Sequence, residues 1–198
     1  MTALMAIAFT LIAATAPWIS VDDSVMGGRS ASRAVRTGDS TLVFVGEVSL
    51  DNNGGFASIR TAPQQHDLAG ATGIVLRVRG DGKRYRVNLR TDATFDGIQY
   101  QAGFITVDDT WQDIRLDFAA PQGSPRMLRP LGGKPRRSEG LGGASTPFDP
   151  RFRGRPVPDA PHLDPARIRS FGLAIAERQA GPFRLEIDTI TSWVADPP

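Results

Sequence analysis

Apolar and polar positions alternate with a period of two over much of the chain, the spacing of strands that bury one face. Residues 41–50 (TLVFVGEVSL) are rich in β-branched residues and predict a mostly buried strand, and residues 56–60 predict a second. Between them Asp51-Asn52-Asn53-Gly54-Gly55 combines residues that tolerate left-handed backbone, so a hairpin is expected. The same holds for Ile74, Leu76 and Val78, then Gly80-Asp81-Gly82, then Tyr85, Val87 and Leu89. Arg77, Arg79, Arg84, Arg86 and Arg90 fall on the polar positions of that pair, as a solvated sheet face or as the floor of an anion or carboxylate site. Two further strands around Tyr100 and Leu116 are joined by a turn at residues 107–110, with Trp111 over a sandwich edge. Residues 168–176 and 183–188 close the chain as strands, the last extended by Ile190 and Trp193. Residues 164–167 resemble a helix start and are too few to continue as one.

Two glycine-rich blocks punctuate this pattern. In residues 18–30 (WISVDDSVMGGRS) an apolar anchor precedes two carboxylates and a Met-Gly-Gly turn; Asp51 to Phe56 repeats the character. Paired glycines imply positive φ or close approach of another segment. The two loops are therefore expected to meet, with Met26, Gly27, Gly28, Gly54 and Gly55 as their structural residues.

Composition narrows the class. A chain of 198 residues with 21 glycines and 15 prolines suits one turn-rich all-β domain. The absence of cysteine excludes disulfides, thiolate metal sites and a cysteine nucleophile. Residues 1–16 are mostly apolar and end in Ala14-Thr15-Ala16, which predicts a signal peptide or apolar leader, with a buried first strand or a start codon chosen too far upstream as the alternatives. That run is too short for a transmembrane span. Residues 17–195 then form a single sandwich domain, interrupted at about 120–146 by a mobile, basic, glycine- and proline-rich insertion. Residues 120–155 carry a net charge of +6 although the whole chain has only +2, so attraction for an anionic partner is confined to one loop and nucleic-acid binding by the fold is not expected.

Little catalytic chemistry survives inspection. His66 and His162 stand in polar loops without partners at metal-ligand spacing, and no serine sits in a Gly-x-Ser-x-Gly elbow. Glu47 and Glu186 would form a glycosidase pair only if their side chains faced each other at about 5–9 Å; alternation puts both on the outward set, which favours solvated strand residues. Asp22, Asp23, Asp51 and Asn52 would supply oxygens to a structural Ca²⁺ if the two loops meet, although Asx turns alone account for them. No catalytic residue, metal or cofactor is assigned. The candidates for contact with a partner or ligand are Asp23, Asn53, Arg60, Asp81, Arg90 and Trp111, joined by Arg153 and Arg155.

Taken in order, WISVDDSVMGGRS, GEVSLDNNGGFASIR, LRVRGDGKRYRVNLR, YQAGF, WQDIRLDF, FRGRPV and IRSFGLAIAERQAGPFRLEIDTI closely resemble the complex I intermediate-associated protein family, from about Trp18 to Trp193. The resemblance implies a galactose-binding-domain-like jelly-roll β-sandwich and a non-enzymatic role in assembling the NADH:ubiquinone oxidoreductase, with its subunits or assembly factors as protein partners. An exported carbohydrate- or small-ligand-binding sandwich is the alternative. The basic insertion interrupts the family's Pro-Phe-x-x-Phe-x-Pro loop, and a cleaved leader would place the domain in the periplasm or outside the cell; an uncleaved one would leave it in the cytoplasm.

Overall fold

The computed structural model describes residues 17–38, 41–94, 96–119 and 147–195; the leader and the insertion lie outside them. The strands are β1 (Trp18–Ser20), β2 (Ala31–Arg36), β3 (Leu42–Val48), β4 (Ala57–Thr61), β5 (Gly73–Arg79), β6 (Arg84–Arg90), β7 (Gln99–Ile105), β8 (Trp111–Asp117), β9 (Asp149–Phe152), β10 (Arg155–Pro156), β11 (Ser170–Ile175) and β12 (Gly181–Trp193). They form a seven-stranded sheet, β1-β4-β11-β6-β7-β9-β10, and a five-stranded sheet, β2-β3-β12-β5-β8. The described residues contain no α-helix, only 3-10 turns at Asp23–Met26, Asp51–Asn53 and Pro165–Arg167. Asp164 caps the last of these by accepting from the Ala166 N–H.

The alternating apolar positions meet between the sheets. Phe44 and Phe183 of the five-stranded sheet pack edge-on at 4.7 Å, and Tyr85 of the seven-stranded sheet contacts both. Leu42, Ile59, Leu76, Leu89, Leu173 and Leu185 complete a layer sealed from solvent. The result is an all-β jelly-roll sandwich.

Both expected hairpins are corrected by the pairing. β3 pairs with β2 and β12, while β4 pairs with β1 and β11. The Asp51 to Gly55 turn therefore carries the chain from one sheet to the other. Gly80-Asp81-Gly82 does the same, since β5 pairs with β12 and β8 and β6 with β11 and β7. Period-two alternation marks which face of a strand is buried and is blind to which strand lies beside it. Among the described strands, consecutive ones pair directly only in β2–β3, β6–β7 and β9–β10.

One consequence concerns the arginines expected on a common face. Arg77 and Arg79 lie on the outside of the five-stranded sheet, whereas Arg84, Arg86 and Arg90 lie on the outside of the seven-stranded one. β12 changes parity along its length: Phe183, Leu185 and Ile187 are buried, then a register shift between Ile187 and Thr189 transfers burial to Ile190 and Ser192. That irregularity lets a strand of 13 residues bend with the sandwich.

Candidate functional site

The two glycine blocks form one unit. Asp23, 1% exposed, accepts from the Ser30 N–H at 2.9 Å, the Ser30 hydroxyl at 2.6 Å, the Gly55 N–H at 2.7 Å and the Phe56 N–H at 3.2 Å. Burial by itself would raise its pKa, but these donors outweigh burial and hold the carboxyl below its ordinary value. Asp22 accepts from the N–H and hydroxyl of Ser32 on β2 and from the Ser58 N–H on β4, tying the two sheets together where β1 ends. Cα substituents are excluded at two points: a Cβ on Gly28 would lie 2.3 Å from the Asp23 carboxylate, and one on Gly54 would lie 2.6 Å from it. Gly27 adopts φ +88°, and its carbonyl accepts from the Asn52 amide at 3.0 Å. Asn52 and Asn53 themselves are left-handed, and both side chains are exposed.

The Met26 side chain departs from the expected packing. It is 69% exposed, beside Val25 at 70%. Nor do the carboxylates offer ligands for a cation: the oxygens of Asp22 and Asp23 face N–H and O–H donors, which a Ca²⁺ ion would repel. Among the described residues, no group of three or more His, Cys, Asp or Glu side chains is placed to hold a metal ion.

Other candidates are engaged in contacts within the fold. Asp81 accepts from the Tyr85 hydroxyl at 2.7 Å, the Lys83 N–H and the Arg184 N–H, so its turn anchors the buried tyrosine. Burial and that adjacent carboxylate push the Tyr85 phenol well above its ordinary pKa. Trp111, on the edge strand β8, faces outward with the Arg79 guanidinium 5.2 Å from its ring. Glu47 and Glu186 do not form a pair. Glu186 sits opposite Val43 and Glu47 opposite Pro182, four positions apart, or about 13 Å at strand spacing. Glu47 is exposed as expected, but Glu186 is buried between Arg79 at 2.7 Å and Arg184 at 2.8 Å. His66 is also buried rather than in a polar loop, edge-on to Phe171 at 5.3 Å.

The outer face of the seven-stranded sheet gathers the remaining polar groups. In register across it run Arg60, Gly172, Asn88, Gln101 and Asp149. β11 presents only Ser170, Gly172 and Ala174 outward, so its flanking side chains rise above a low floor. A Cβ on Gly172 would already touch the Cβ atoms of Asn88 and Arg60 at 3.4 and 3.5 Å. Along this trough Asn88 Oδ1 and Gln101 Oε1 are buried without a hydrogen-bond partner among the described residues. Arg60 and Arg90 meet at one end, around a cavity of about 170 Å³. Arg153, on an exposed left-handed residue, pairs with Asp96, and Arg155 is exposed on β10. Sequence reasoning missed Val25, Asn88, Gln101 and Ser170. The alternation of small residues at 170, 172 and 174 was the available sign of the trough.

Comparison with known proteins adds the family. A structure of a family 11 carbohydrate-binding module from a Clostridium thermocellum cellulosomal cellulase superposes with a TM-score of 0.62 at 14% identity, covering 98% of this chain and 97% of that one. An agarase matches with a TM-score of 0.56 at 13% identity over 96% of this chain and 25% of its own length. These likenesses establish the fold alone. The mitochondrial complex I intermediate-associated protein 30 of Drosophila melanogaster is 27% identical, and the alignment covers 87% of this chain and 57% of the fly protein. This chain thus spans little more than half of that relative. The model of the family described as complex I intermediate-associated protein 30 matches residues 7–123 and 144–187, and the gap falls in the basic stretch read as an insertion. With most of its length matched, the chain belongs to the complex I intermediate-associated protein 30 (CIA30) family.

Proposed function

We propose that this domain is a non-enzymatic binding module that helps assemble a protein complex, with respiratory complex I as the expected client. The carrying observation is the Gly-Gly loop: Val25 and Met26 stand about 70% exposed on a segment whose base is fixed by buried carboxylates. A loop held in one shape before contact loses little entropy on binding, and a protruding methionine adapts to an apolar pocket on a protein partner. Family membership supports the same direction. The test is affinity capture from the native host with the full chain and with a Val25→Ser/Met26→Ser variant. Subunits or assembly factors of complex I should be captured by the former and lost at least about tenfold with the latter, at unchanged thermal stability. Normal complex I levels in a deletion strain, together with capture indifferent to the loop, would overturn the proposal.

A second reading, an exported domain that binds carbohydrate or another small ligand, draws on the trough of the seven-stranded sheet. The buried oxygens of Asn88 and Gln101 suit hydroxyl donors of a neutral sugar. Glycan binding that perturbs the Asn88 and Gln101 side-chain amides would support it, and sequencing the mature N-terminus would decide whether the chain is exported.

A further inference from the structure

Three strands bring Arg60 of β4, Ser170 of β11 and Arg90 of β6 around the cavity at the end of the trough. Ile19 and Pro63 contribute apolar wall, and Thr94 and Asp92 close it from the β6–β7 loop. Burial lowers the pKa of Arg60 and the charge of Arg90 lowers it further; Arg90 is lowered by burial, against the pull of Asp92 and Asp96. Two guanidinium groups thus share a partly desolvated space, a setting in which an added anion is attracted by both. Asp96 is engaged by Arg153, which leaves Asp92 as the acidic group among the cavity's own residues. Arg90 donates to the Gly97 carbonyl at 2.8 Å and to Gln99 Oε1 at 3.3 Å, contacts that hold its guanidinium in place while leaving further N–H groups.

We infer that this cavity is a binding site for a carboxylate carried on a ring-sized group, a sugar acid being the class that fits. Its volume of about 170 Å³ is close to the roughly 150 Å³ that accommodates a six-membered ring. The planar guanidinium forks match a carboxylate in two-point contact, and the apolar wall meets the ring. The inference deepens the small-ligand reading by naming its chemistry and is independent of the docking loop.

Amide NMR of the whole chain, titrated with galacturonate, galactose and inorganic phosphate, tests it. Galacturonate should shift the Ser170, Arg90 and Thr94 signals saturably, with galactose at least about tenfold weaker. Arg60→Gln should weaken galacturonate by a similar factor, and Arg90→Gln likewise where it folds. No saturable shift with galacturonate overturns the site, whatever neutral sugars do at Asn88 and Gln101. Equal binding of galactose, or phosphate binding as tight as galacturonate, overturns the carboxylate-on-a-ring assignment.

Discussion

Asp23 shows how much one side chain organises. Its carboxylate accepts from three backbone N–H groups and a hydroxyl, and the glycines at 28 and 54 leave room for it to do so. Asp23→Asn keeps the shape but turns one acceptor into a donor facing N–H groups, which should cost about 2–4 kcal/mol in urea unfolding. Gly28→Ala should be comparably damaging, because its Cβ would strike the carboxylate, whereas Gly27→Ala meets no neighbour and suffers only from its positive φ, about 1 kcal/mol. A Gly28→Ala protein as stable as the parent would disprove the close approach. The depressed pKa of Asp23 gives the acid arm its sign: this stabilisation is complete above the unfolded-state value near 4 and is lost as pH falls through the folded-state value.

Among the elements, the connection from β11 to β12 is held by side chains that reach back to β6. Glu177 and Arg178 are left-handed at φ +67° and +58°, and Glu177 bridges Arg84 at 2.7 Å and Arg86 at 2.5 Å. Gln179 accepts from the Arg84 N–H and donates to the Arg84 carbonyl, in effect adding a short rung to β6. Glu177→Gln should remove about 1 kcal/mol, since the arginines are partly exposed and screened. The sharper readout is hydrogen exchange: the Arg84 amide should exchange faster while the Leu173 amide, inside β11, stays protected. Equal acceleration at both would mean that the arch has no stability separate from the sandwich.

For the whole molecule, pH reports on groups buried by closure of the fold. His66 is 5% exposed, and burial lowers its pKa, so the folded protein resists a proton that the unfolded chain accepts. Stability should be insensitive to this group above about pH 6.5 and fall as pH drops below it, by at most about 1.4 kcal/mol per pH unit. The loss levels off below the folded-state pKa; separately, Glu177 and Glu186, both held low by arginines despite burial, release their own stabilisation as pH falls below the ordinary glutamate value of about 4.3. His66→Phe should flatten the first segment of a denaturant midpoint measured against pH; an unchanged slope would show that another group carries it.

The positions of β3 to β8, β11 and β12, the inward set of apolar residues and the meeting of the two glycine loops were legible in the residues, because side-chain alternation and left-handed turn chemistry are local properties; the short strands β1, β2, β9 and β10 lie in stretches not read as strands. Strand partnership was not. A Gly-Asp-Gly turn reverses the chain equally well within a sheet or between two, and only the competition of β11 and β12 for their neighbours decided that β5 and β6 would face each other across the core. The same closure separated Arg79 from Arg90, buried Glu186 and His66, and brought Arg60 and Arg90, 30 positions apart, to one cavity. By itself the sequence determined which residues turn inward and where the chain must bend; the packing of two sheets decided which outward residues meet, since those contacts join strands distant along the chain.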